Sequence, residues 1–93
     1  MNNKINLWKK GNYLVTCKGR KGYRKYLWEA KVYDEGSEYG INNGRVSKLG
    51  IWLENNDGSH TTVCNYDRGW DIEPINDEVL GIVDYLVNVE FKN

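Results

Sequence analysis

The densest run of chemically capable side chains is Tyr66-Asp67-Arg68-Gly69-Trp70-Asp71, which packs two aromatics, two acids, a base and a flexible residue into six positions. Trp and Arg are the side chains that most often anchor interfaces, and a guanidinium grips a carboxylate or phosphate through two parallel N–H donors. Arg45 and Lys48 open a neighbouring strand. Together these residues would frame a polar pocket with aromatic walls. Arg45, Lys48, Tyr66, Asp67, Arg68, Trp70 and Asp71 are therefore the candidate contacts to a ligand or partner. The competing reading of the same segment is structural: Trp70 closes one end of the core, and Arg68 pairs with Asp71 to shape a turn.

A second cluster surrounds the turn Gly19-Arg20-Lys21-Gly22, where Lys18, Arg20, Lys21, Arg24 and Lys25 stand beside Tyr23 and Tyr26. Cations neutralise phosphates and exposed aromatics stack on bases, so this hairpin is the candidate nucleic-acid contact. Lysines and arginines are also the ordinary guard of an exposed strand edge. The chain as a whole has zero net charge and lacks the basic excess of a nucleic-acid binder. The zero hides a division: residues 1–31 hold nine bases against Glu29, a net of +8, while residues 32–93 hold four bases against twelve acids, a net of −8. Nucleic acid therefore ranks behind a protein or a phosphate-bearing small molecule as the expected partner.

Catalysis is poorly provided for. His60, the single histidine, lies beside the Asp57-Gly58 turn with no Ser or Cys nucleophile motif next to it. Asp67, Asp71 and Glu73 are acids in a segment before a helix, where caps and surface charge are the usual roles, and they lack the ligand density of a calcium loop. Cys17 and Cys64 are 47 positions apart and have no metal-site spacing; they read as reduced, buried core thiols. Gly40 to Lys48 has glycines and a lysine, but in the wrong order for a phosphate loop, and a strand follows where a helix N-terminus would be needed. The expectation is no enzyme, no catalytic residue, no metal and no cofactor.

The elements that position these residues follow from periodicity. At 93 residues the chain supports a single domain, 1–93, with residues 1–11 read as a flexible N-terminal segment. Residues 12–18 form a strand with Tyr13, Val15 and Cys17 on one face, and in Tyr23 to Tyr33 the set Tyr26, Trp28, Ala30 and Val32 alternates with Leu27, Glu29, Lys31 and Tyr33. These two runs make an antiparallel hairpin. A glycine-bearing loop, 34–44, is longer than an ordinary hairpin connection and long loops are often functional. Arg45 to Asn55 is a third strand, with Leu49, Ile51 and Leu53 on one face and Val46, Lys48, Gly50 and Trp52 on the other; Asn56-Asp57-Gly58 turns it into a fourth, Ser59 to Tyr66. Asn76 caps a C-terminal helix with Asp77 and Glu78 in its first turn, an Ile75–Leu80 staple and a stripe of Val79, Leu80, Val83, Leu86 and Val87. The fold class is α+β: a four-stranded antiparallel β-meander packed by one C-terminal α-helix.

Three stretches, Ser37-Glu38-Tyr39-Gly40-Ile41, Gly44-Arg45-Val46-Ser47-Lys48-Leu49 and Asn65-Tyr66-Asp67-Arg68-Gly69-Trp70-Asp71, resemble the recurring motifs of a small uncharacterised domain family of Gram-positive bacteria and their phages. The resemblance covers roughly residues 23–75. It carries no assigned activity; it implies a phage or mobile-element setting, in which small proteins are often binders that block a host protein or sequester a host ligand. The functional expectation is a non-catalytic binding protein, inhibiting a host defence component through the loop 34–48 and the segment 66–71. The alternatives are a sponge for a nucleotide-type small molecule and nucleic-acid binding through the basic hairpin. No apolar run reaches the roughly 20 residues that span a bilayer. Met1 to Lys10 is polar and basic with no apolar stretch behind it, so a cytoplasmic location without membrane contact is expected. An exposed edge strand would allow a homo-oligomer.

Overall fold

A computed structural model of the chain describes residues 7–17 and 22–92. Among them a single antiparallel sheet runs in sequence order, β1 (Trp8–Thr16), β2 (Tyr23–Val32), β3 (Val46–Glu54), β4 (His60–Asp67) and β5 (Trp70–Ile72), followed by α1 (Asp77–Tyr85) and a π-helical turn, Leu86–Glu90. The class is α+β as expected, but the sheet has five strands and not four. The extra strand is three residues long, too short to show an alternation, and it folds back on β4 through Tyr66↔Trp70 and Asn65↔Ile72. The first strand also starts at Trp8, earlier than expected, with Trp8 opposite Lys31.

The helix covers one face of the sheet. Tyr26, Ala30 and Val32 of β2, Val46, Leu49 and Ile51 of β3, and Val63, Cys64 and Tyr66 of β4 are buried there against Val79, Ile82, Val83, Leu86, Val87 and Phe91. Burying an aliphatic side chain of this size is worth roughly 1.5–3 kcal/mol, so this layer is what holds the helix down. Two expectations about faces are corrected. Val46 lies on the core face with Leu49, because the β2–β3 register slips between Lys31/Val32 and leaves Ser47 as the extra residue of a bulge. The helical stripe is Val79, Ile82, Val83, Leu86 and Val87, while Leu80 is exposed. That set follows i, i+3, i+4, i+7, i+8 more closely than the expected one. Asn76 does cap the helix, its side chain accepting from the Val79 N–H at 2.9 Å. Ile75 and Leu80 are 59% and 44% exposed, so the expected staple buries neither.

The helix is fastened to the sheet at its N-terminal end. Arg24 donates Nε and Nη2 to Glu78 at 2.8 and 2.6 Å, and the buried Tyr26 hydroxyl donates to the same carboxylate at 2.5 Å. The Arg24 guanidinium holds the Glu78 carboxyl below its ordinary range, and burial with the Glu78 contact pushes the Tyr26 phenol up to about 12. Among the described residues no helix covers the sheet's other face. There Trp52 lies over Gly50, where an added Cβ would meet its ring at 2.7 Å. Among the described residues no helix is long and apolar enough to cross a membrane.

Candidate functional site

The connection between β2 and β3 is built as a closed loop. The Tyr33 N–H donates to the Arg45 carbonyl at 2.9 Å, the Ser37 N–H to Gly44 at 3.2 Å, and Gly44 to Ile41 at 2.9 Å. Ile41 anchors the loop in the core. A side chain on Gly40 would stand 1.9 Å from the Gly44 carbonyl oxygen, so that position admits glycine alone. Asn42 and Asn43 supply two consecutive left-handed residues, a conformation Asn tolerates better than most. Arg45 ties the loop to the C-terminal end, donating to the Tyr33 carbonyl at 2.8 Å and the Lys92 carbonyl at 3.0 Å.

The β4–β5 turn closes against this loop. The Tyr66 hydroxyl donates to the Tyr39 carbonyl at 2.9 Å, and the Arg68 N–H donates to the Ser47 carbonyl at 3.0 Å. The three stretches 37–41, 44–49 and 65–71, separated along the chain, thus form one corner of the molecule. Trp70 meets the Tyr66 ring edge-on at 4.9 Å and is 37% exposed, backing this corner from outside.

Between loop and turn lies an open groove of about 810 Å³. Lys31, Ser47 and Lys48 line it from the sheet, Leu7 from just ahead of β1 and Arg68 from the β4–β5 turn; Tyr33, Asp34, Glu35, Ser37 and Tyr39 line it from the loop. Lys31 and Lys48 are directly opposite each other across β2 and β3. Like charges in that relation are unfavourable, and Lys48 has Asp67 directly opposite on its other side, across β3 and β4, which offsets part of the repulsion. Lys31 Nζ lies 5.4 Å from the Tyr33 ring centroid. Asp67 sits between the other two cations, 3.7 Å from both Lys48 Nζ and Arg68 Nε, beyond direct hydrogen-bond distance.

Arg68 carries the least ordinary backbone of the site. Its φ is 57°, the left-handed region that glycine favours, while its neighbour Gly69 has no positive φ and open space where a Cβ would go. A non-glycine residue there costs roughly 1–2 kcal/mol. The described arginines differ in their engagement: Arg24 is bidentate on Glu78, Arg45 holds two carbonyls, and Arg68, with a side chain 66% exposed, meets only the distant Asp67 carboxylate.

Of the residues singled out from sequence, Lys48 and Arg68 line the groove, Asp67 lies between them, Tyr66 and Trp70 support it from behind, and Asp71 is exposed on β5. Arg45 does not line the groove. Arg68 contacts Asp67 and not Asp71. Lys31 and Tyr33 lie outside the expected contact surface, loop 34–48 and segment 66–71; the alternation that puts Lys31 and Lys48 on outward faces is the signal that pairs them. Of the proposed nucleic-acid residues, Lys18, Arg20 and Lys21 lie outside the described residues, Arg24 is engaged with Glu78, and Lys25 is half-buried on the open face opposite Leu14. His60 is remote from the groove, 3.9 Å from Glu54 at the β3–β4 turn. Cys17 and Cys64 are both free; Cys17 is half-buried, and burial pushes the Cys64 thiol up to about 12. Among the described residues no cluster of three or more His, Cys, Asp or Glu could hold a metal.

The family model described as "Domain of unknown function (DUF7678)" matches residues 7–90, and the chain belongs to that family. None of the curated proteins and none of the solved structures matches it.

Proposed function

We propose that this chain is a small non-catalytic binding protein and that the corner groove is its recognition site. The observation that carries the reading is the hydrogen-bonded assembly of three distant stretches into one wall, which presents Lys48, Arg68 and Tyr39 together. The groove offers binding groups: two lysines, an arginine, two phenols and two serines, with no His or Cys among the described residues of its lining. The motif resemblance supports a phage or mobile-element setting. In that setting the captured molecule belongs to a host defence system, which is inhibited by losing it. Affinity capture from a host lysate, with mass spectrometry of both proteins and small molecules, tests the reading. The wild type and a His60→Ala control should retain the same partner, and Lys48→Ala/Arg68→Gly should lose it. Equal retention by all three would place recognition elsewhere.

A further inference from the structure

We infer that the occupant of the groove is a phosphorylated small molecule carrying a planar ring, of the nucleoside phosphate class; the inference rests on the binding reading above. Three observations converge on an anion. The Lys31–Lys48 pair sets two cations side by side in the lining, with Asp67 opposite Lys48 on the next strand. Arg68 keeps a charged side chain at a backbone position that glycine would fill with less strain, although a glycine is next in sequence. Among the described residues its guanidinium, unlike those of Arg24 and Arg45, makes no short hydrogen bond. A guanidinium so placed can take two phosphate oxygens at once, and charge-assisted pairs of that kind are about twice as strong as neutral ones.

Asp67 acts as a weak internal counter-ion. At 3.7 Å from both Lys48 and Arg68 it balances them without closing the site, and a phosphate with charge of roughly −1.5 to −2 displaces it. The rest of the groove argues for a small ligand with a ring. Tyr39 is 54% exposed and Tyr33 is 40% exposed, and both face the groove. The Tyr39 backbone is held by the Tyr66 hydroxyl. Such phenols offer flat surfaces to a base, and stacking of this sort is worth roughly 1–3 kcal/mol per base. Asp34 and Glu35 on the loop rim repel a long polyanion, yet their oxygens can accept from sugar hydroxyls. A volume of about 810 Å³ lies within the range of roughly 300–1,000 Å³ that small-molecule sites occupy.

Thermal unfolding of the full chain tests this with adenosine, guanosine and uridine diphosphates, glucose phosphate, inorganic phosphate and citrate as probes. At least one nucleoside diphosphate should raise Tm by about 10 °C or more at a hundredfold excess over its Kd. The shift should be absent in Lys48→Ala/Arg68→Gly and intact in His60→Ala. No shift with any nucleotide at millimolar concentration overturns the ligand class. If the double variant still loses a lysate partner in that case, the groove remains the recognition site and only its occupant is wrong. Shifts as large with glucose phosphate, inorganic phosphate or citrate overturn the ring requirement. A nucleotide shift of equal size in the double variant overturns the location.

Discussion

Replacing Arg68 with glycine should separate stability from binding. The substitution relieves a left-handed backbone that costs a non-glycine residue roughly 1–2 kcal/mol. Against that, glycine gains about 0.5–1 kcal/mol of conformational freedom in the unfolded chain. The Arg68 N–H still reaches the Ser47 carbonyl, because that bond belongs to the backbone. The lost ion pair with Asp67 is long and exposed on both sides, 66% and 44%, and contributes little. The balance is neutral to about 1 kcal/mol more stable, which for a domain of this size is a Tm rise of up to about 4–8 °C. Urea unfolding of the wild type, Arg68→Gly and Arg68→Ala measures it. Arg68→Ala keeps the strain and loses the side chain, so it should match the wild type within about 0.5 kcal/mol while binding fails in both variants. A loss of more than about 1 kcal/mol in Arg68→Gly would show that the side chain is architectural and that its backbone strain is no sign of function.

Four further outcomes follow from the same geometry. Asp67→Asn removes the carboxylate competing for Lys48 and Arg68; at this distance and exposure the term is about 1 kcal/mol, so titration calorimetry should give roughly fivefold tighter binding of an anionic ligand. Gly40→Ala forces a Cβ into the Gly44 carbonyl and should cost about 3 kcal/mol or prevent folding, measured by urea unfolding. Because Glu78 is held below its ordinary carboxyl range in the folded state, its contribution is complete above the unfolded value near 4.3 and is lost as pH falls through the depressed one. Glu78→Gln should therefore lower neutral-pH stability and flatten the acid limb of the stability curve below about pH 4. Tyr26, whose folded value is pushed up to about 12, favours the fold below pH ~10 and ceases to as pH rises through 12; ultraviolet titration should show one phenol ionising late, absent in Tyr26→Phe.

Alternation was readable wherever a strand kept strict register. Tyr13, Val15, Tyr26, Ala30, Leu49 and Ile51 all face the helix as their spacing required. It failed at the bulge, where Ser47 turns Val46 inward, since an extra residue changes parity without any mark in composition. It failed also at Trp70–Ile72, whose pairing depends on the turn at Arg68 and not on a periodic pattern. For the site, Lys48 and Arg68 were legible as residue types close to other functional groups. The roles of Arg45 and Lys31 were not, because they are set by tertiary neighbours: the Lys92 carbonyl for one, and the cross-strand position of Lys48 for the other.

An NMR titration of the labelled protein with its captured ligand addresses the groove most directly. Amide shifts should concentrate at Ser37 to Gly40, at Ser47 and Lys48, and at Arg68 and Gly69. Shifts confined to the open face of β1 and β2, or to the Asn55–His60 turn, with the groove amides unmoved, would contradict the assignment of this corner as the place where the protein binds.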